Sequence, residues 1–326
     1  MGLKEFTNAY GLTFDIVNSN TFQDPVTNIY PNNSIESFKF GSLTNSSQSA
    51  RDMAIEINID SIKKGIQLGS KGLIVWIGDG GNFPGQVSFS KSLDRYIQSM
   101  KIIYKELPND WIILLEHKPY EPAFYSTVIS DWGTSYVCAK ELGDKAMCLV
   151  DLGHHLPNTN IEMIVSRLID LKKLGGFHFN DSKFGDDDLD SGSINPFELF
   201  LIFNELSHAQ QQSKIQNIAY MMDQSHNVTD PIESLIVSAN EIVNAYAKSL
   251  LIDQKLLFEA QESNDAVAAS KILKECYSID TSPLIQMIRN NKNHAINPIS
   301  TYRNLNYKEE KSKIRKVPSG SSSGIV

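Results

Sequence analysis

Trp111-Ile-Ile-Leu-Leu-Glu116-His-Lys118 is a short, fully apolar run that stops at a carboxylate. An unbroken run of this kind reads as a β-strand covered on both faces, not as a half-exposed strand with alternating polarity. The same event recurs down the chain. Met147–Leu152 leads into Asp151-Leu-Gly-His-His155, and Gly175–Phe179 carries His178 into Asn180-Asp-Ser-Lys-Phe-Gly-Asp-Asp-Asp188. Ile218–Met222 is followed by Asp223-Gln-Ser-His226. Upstream, Leu12–Val17 and Gly72–Gly78 give two further predicted strands, the second through Leu73-Ile-Val-Trp-Ile77. Helical periodicity fills the gaps. Leu93, Ile97, Met100 and Tyr104 form one stripe; Ile161, Ile164, Val165 and Leu168 form another, capped by Thr159 or Asn160. Asn195 before Pro196 marks a further helix start.

Strand–helix alternation repeated this often implies a parallel sheet with right-handed crossovers, either open or closed. Glu116, Asp151, His178 and Asp223 are 35, 27 and 45 residues apart, about one βα unit each. An open sheet would string them along a line, whereas a barrel gathers all strand C-termini at one face. The expected fold is therefore α/β, a (β/α)₈ TIM barrel with six of its eight strands in this sequence. Residues 1–230 form the barrel. Residues 231–310, with helical stretches near Pro231–Leu251, Asp253–Tyr277 and Pro283–Asn291, form a C-terminal helical extension, and 311–326 a flexible tail. Gly78–Gly85 reads as a tight βα turn, since it lacks the lysine of a phosphate loop.

Composition narrows the function classes. The chain has 326 residues and a net charge of −8, which disfavours nucleic acid and anionic membrane as partners. No apolar stretch is long enough to span a bilayer, and no secretion signal precedes the first strand. Cys138, Cys148 and Cys276 lack metal-ligand spacing and read as buried free thiols, so the expected compartment is the cytoplasm.

Glu116, Asp151, Asp223 and His178 make a hard, mostly oxygen donor set suited to Mn²⁺, Mg²⁺ or Co²⁺. His154, Asp186 and Asp188 make a second set, the two aspartates alternating so that both can face one side of an extended segment. Lys118, two residues past Glu116, can stabilise a developing alkoxide. Singly, each such residue has an ordinary explanation. A strand-end aspartate is more often a cap, Asp186-Asp-Asp188 a solvated loop, and His178 a satisfied core histidine. Four polar strand ends together are harder to explain without a metal. Trp76 is a possible sugar platform, although a core tryptophan is the better bet from sequence, and Phe22 is a minor pocket candidate.

Several longer segments resemble L-rhamnose isomerase of the bacterial, broad-specificity branch, within the xylose-isomerase-like barrel superfamily. They are Trp76-Ile-Gly-Asp-Gly with Asn82-Phe-Pro-Gly85, Glu116-His-Lys-Pro-Tyr-Glu-Pro-Ala-Phe-Tyr-Ser126, Asp151-Leu-Gly-His-His155, Gly175-Gly-Phe-His-Phe-Asn-Asp-Ser-Lys183, Gly185-Asp-Asp-Asp-Leu-Asp190 and Asp223-Gln-Ser-His226 onward. The resemblance implies an aldose–ketose isomerase interconverting L-rhamnose and L-rhamnulose with two divalent ions, Mn²⁺ first, with Mg²⁺, Co²⁺ or Zn²⁺ as alternatives. It implies that Glu116, Asp151, His178 and Asp223 hold one ion, and His154, Asp186 and Asp188 the other. Lys118, Asp223 and His154 would be catalytic, with Trp76, Phe22 and Ser225 lining the sugar. A homotetramer is the implied assembly. Because residues 1–9 read as the end of a helix, the chain is expected to be N-terminally truncated relative to that family, with two strands encoded upstream. The competing expectations are a sugar epimerase on the same barrel, a metal-dependent endonuclease, which the acidic balance disfavours, and a catalytically inactive subunit.

Overall fold

A computed structural model of the protein describes residues 2–24, 37–215, 217–226 and 228–315. It comprises two compact units, Met1–His178 with Ile215–Met221, and Phe179–Lys214 with Met222–Val326.

The first unit holds a helix, α1 (Leu3–Ala9), and then alternates strands and helices: β1 (Val17–Asn18), α2 (Gln48–Leu68), β2 (Gly72–Val75), β3 (Gly80–Gly81), α3 (Phe89–Lys105), β4 (Ile112–Glu116), β5 (Ser126–Thr127), α4 (Trp132–Leu142), β6 (Ala146–Asp151), α5 (Ile161–Asp170) and β7 (Leu174–Phe179). After α6 (Pro196–Gln211), β8 (Ala219–Met222) completes a curled six-stranded sheet in the order β1-β2-β4-β6-β7-β8. Its registered pairs are all parallel. The order never reverses, so each strand is laid beside its predecessor. That is the winding of a barrel wall; a doubly wound sheet would change direction at a switch point.

Both faces of the sheet are covered, which explains the unbroken apolar runs. Ile74, Leu114, Leu149 and Ala219 cluster on one face with Ile16, Ile112, Met147 and Met221. Their neighbours Leu73, Ile113, Leu115 and Val150, pointing the other way, are also fully buried. β7 approaches so closely that a Cβ at Gly175 would stand 2.4 Å from Leu114 Cδ2 and 2.5 Å from Met147 Cβ.

Three details differ from the sequence reading. β1 is confined to Val17–Asn18, because the preceding Leu12–Asp15 is an edge segment with Leu12 exposed; Asp15 O still accepts Lys71 N at 3.1 Å. Gly80–Gly81 is not a simple turn but pairs antiparallel with β5, and a Cβ at Gly80 would meet Ser126 O at 2.2 Å. On α3 the buried stripe is Tyr96, Met100 and Ile103; of the expected Leu93, Ile97, Met100 and Tyr104 only Met100 is buried and the other three are half-buried, whereas on α5 Ile161, Ile164, Val165 and Leu168 are all buried.

The second unit is helical: α6 is followed by α7 (Pro231–Ser249), α8 (Gln254–Glu262), α9 (Ala266–Tyr277), α10 (Ser282–Asn291), α11 (Pro298–Asn304) and α12 (Tyr307–Ile314). The stretch expected to run unbroken from Asp253 to Tyr277 is split, since Asn264 takes a left-handed φ of 57° and Asp265 caps α9 by accepting Ala268 N at 3.0 Å. Phe200, Ile252, Leu257 and Cys276 form its core. Within the expected tail, residues 311–314 end α12, and residues 316–326 lie outside the described residues. No helix among the described residues is long and apolar enough to cross a membrane.

Candidate active site

Glu116 ends β4, Asp151 ends β6 and His178 lies in β7, so the parallel register sets them side by side; Asp151 pairs directly with His178. The turn after β6 brings His154 back to the same place. Asp151 fixes that turn by accepting Gly153 N on Oδ1 at 2.8 Å. All four side chains are buried, with 1–7% of their surface exposed. His178 Nδ1 stands 3.1 Å from Glu116 Oε1 and 3.5 Å from Asp151 Oδ2, and His154 Nδ1 stands 3.3 Å from Glu116 Oε1.

Two imidazole nitrogens thus face one carboxylate oxygen. Each contact is repulsive unless a proton or a cation lies between the atoms. Burial alone would raise the Glu116 carboxyl, yet the His154 and His178 imidazoles hold it well below the usual range. Burial would likewise depress His178, but Asp151 and Glu116 push it upward instead. The pocket is therefore built to surround positive charge. Ligand atoms of Glu116, Asp151 and His154 lie within 4.8 Å of one another, close enough to share one metal ion. The donor set, two carboxylates and two imidazoles, fits a divalent cation.

His117 and His155, adjacent in sequence to ligands, point elsewhere. Their rings meet edge to face at 4.8 Å. Burial depresses both, His117 to about 4 and His155 to about 3, so they pack as neutral rings.

Lys118 is held on the loop beyond Glu116. Its amide donates to Ile129 O at 2.9 Å, and its carbonyl accepts the Thr127 hydroxyl at 2.6 Å. Its ammonium lies 5.0 Å from the Trp76 ring centroid and 2.6 Å from Glu121 Oε1. Phe22 packs at 4.8 Å against the same Trp76 ring, and the buried Trp76 indole N–H has no hydrogen-bond partner among the described residues. Phe22, Trp76 and Lys118 therefore form one wall.

The remaining sequence candidates belong to the second unit. Asp223 follows β8, its amide donating to Phe179 O at 3.1 Å. Ser225 and Asp188 come together, through Ser225 N to Asp188 O at 2.9 Å and the serine hydroxyl to Asp188 Oδ2 at 3.4 Å. Asp186 and Asp188 do not lie on an extended segment. Both take left-handed φ, 51° and 50°, on either side of Asp187, which accepts the amides of Lys183, Phe184 and Gly185. Sequence reasoning grouped His154 with Asp186 and Asp188 around a second ion; within the first unit its ring also lies beside Glu116. It gave no role to Glu121, whose one signal was a charge opposite to Lys118 three positions away.

No family model matches the chain. A protein of Mesorhizobium japonicum named "Probable sugar isomerase" is 54% identical over 325 residues, which is 99% of this chain and 74% of that protein. The chain belongs to this sugar-isomerase family. A second family member, a probable sugar isomerase of Rhizobium meliloti, is 53% identical over the same shares. Among solved structures, a D-tagatose 3-epimerase-like protein superposes with a TM-score of 0.55 at 16% identity, covering 76% of this chain and 83% of that one. The structure of L-ribulose 3-epimerase gives 0.55 at 12% identity, covering 77% and 82%. At these identities the likeness shows the fold, a TIM-barrel-like α/β architecture shared by this sugar-isomerase family member.

Proposed function

We propose that this chain is a divalent-metal-dependent aldose–ketose isomerase that interconverts L-rhamnose and L-rhamnulose. The observation that carries the proposal is the buried convergence of Glu116, Asp151, His154 and His178 at adjacent strand ends, in a chain half identical to sugar isomerases. These four would hold metal. Asp223, Asp186 and Asp188 are carried as further ligands on the strength of their sequence motifs, giving two ions, Mn²⁺ first. Bound there, a divalent ion supplies a Lewis acid for the oxygens at C1 and C2 of the sugar.

The net reaction moves one hydrogen from C2 to C1 and one proton from the C2 hydroxyl to the C1 oxygen. The chain's own residues position and shield that exchange. The Lys118 ammonium, fixed over Trp76, donates to the C1 oxygen and stabilises charge arising there. Asp223 and His154 are assigned to the reacting end. Trp76 and Phe22 offer an apolar wall to the C–H face of the sugar, with the indole N–H left to donate to a hydroxyl, and Ser225 contacts another hydroxyl. We further propose a homo-oligomer, tetrameric by the motif resemblance, which light scattering on the purified protein would test.

The deciding experiment measures ketose formation from L-rhamnose with Mn²⁺ and after chelation. Metal-dependent turnover is expected. The fold shared with 3-epimerases favours one second reading, inversion at a single carbon. Conversion of D-tagatose or L-ribulose to its 3-epimer, with no aldose turnover, would replace the isomerase proposal with that one.

A further inference from the structure

We infer that Glu121 is the positioning residue that sets Lys118 in place; the inference rests on the role proposed above for Lys118. Four contacts define the arrangement. The Lys118 backbone is locked at both ends, by Ile129 O and by the Thr127 hydroxyl. Its ammonium then has to choose a direction, and its described partners include the Trp76 face, 5.0 Å away, and Glu121 Oε1, at 2.6 Å. Lysine has four rotatable side-chain bonds, so a locked backbone leaves the charge free to sweep several ångströms. A carboxylate three residues on, itself largely buried, removes that freedom. The pair is 11% and 17% exposed, so solvent screens it far less than a surface ion pair.

The loop carrying Glu121 is itself tied down. Tyr120, its neighbour, donates its hydroxyl to Gly153 O at 3.2 Å, in the turn that presents His154. Glu121 therefore sits on a rigid bracket between the Lys118 wall and the metal-ligand turn. Its described contact is with the Lys118 ammonium, and it acts through Lys118. A lysine held within a fraction of an ångström of its target contributes strongly to rate, and one left to wander does not.

A double-mutant cycle tests this with two readouts. Trp76, Trp111 and Trp132 are the three tryptophans, and Trp76 is the one that carries the ammonium. In a W111F/W132F background, Trp76 emission should shift in K118M, shift by a similar amount in Glu121→Gln, and shift no further in the double variant. Should that background fail to fold, difference spectra of the same variants in the three-tryptophan protein give the same comparison. In kinetics with L-rhamnose and Mn²⁺, E121Q should lower kcat/KM about tenfold or more, with Glu121→Asp recovering part of the loss and K118M/E121Q no worse than K118M. Wild-type emission in E121Q, or losses that add in the double variant, would overturn the inference. If the parent chain turns over no aldose, the isomerase proposal fails, and the fluorescence cycle still judges Glu121.

Discussion

Glu116 receives two imidazole nitrogens on one oxygen, so it is the residue whose loss should unbalance the site most. Glu116→Gln keeps the shape and removes the charge; calorimetric titration with Mn²⁺ should show affinity reduced by about 100-fold or more, beyond the 10- to 100-fold typical of losing an outer-shell partner. An unchanged Kd would remove Glu116 from the ligand set. The thiols give a pH test. Burial pushes Cys138 up to about 12 and Cys148 up to about 11. A raised thiol pKa means less thiolate at any given pH, so at pH 8 only about one thiol in a thousand would be ionised at Cys148. Alkylation at pH 8 should therefore spare both in the folded protein and modify both after denaturation, as counted by mass spectrometry. At this scale the sequence was a good guide where chemistry interrupts hydrophobicity. Glu116, Asp151 and His178 stood out because a buried strand has no cheap use for them. Glu121 and the left-handed Asp186 and Asp188 did not, because their roles depend on the directions in which a lysine and a loop backbone turn.

Among the elements, the turn before α2 is tied to the segment between β2 and β3 by one side chain. Asp79 accepts Ser42 N, Thr44 N and both hydroxyls, four bonds at 2.7–3.0 Å to a carboxylate that burial pushes upward and those bonds pull down. Asp79→Ala should strand two buried amides and cost about 3 kcal/mol in urea unfolding; a loss below about 1 kcal/mol would mean that water replaces the carboxylate. Leu168→Ala, at the fully buried centre of α5, should cost about 2–5 kcal/mol through the cavity it leaves. The α5 stripe was legible because its period is undiluted by polar residues. That of α3 was not: serines at 92 and 99 share its buried face, so the apolar pattern alone points about one residue off. The short β3–β5 ribbon was invisible, since two glycines and a Ser-Thr pair carry no strand propensity and their pairing is set by contact across 45 residues of chain.

For the molecule as a whole, metal should act as a folding ligand. Mn²⁺ at about a hundred times its Kd should add about 2.7 kcal/mol of stability, raising Tm in a way that EDTA reverses; a Tm indifferent to Mn²⁺, Mg²⁺ and Co²⁺ would show that the buried cluster holds no such ion. The barrel-type winding was readable because β4, β6, β7 and β8 announced themselves with the same apolar run and polar stop, and that regularity survives error in any single boundary. The strand order β1-β2-β4-β6-β7-β8 also has a temporal meaning. Synthesis runs from the N-terminus, so each strand leaves the ribosome after the neighbour it must join and before the one that will cover its other edge. The sheet can be assembled in the order of translation, with its growing edge always at the nascent end, and no early strand has to wait for a late one to be inserted beside it.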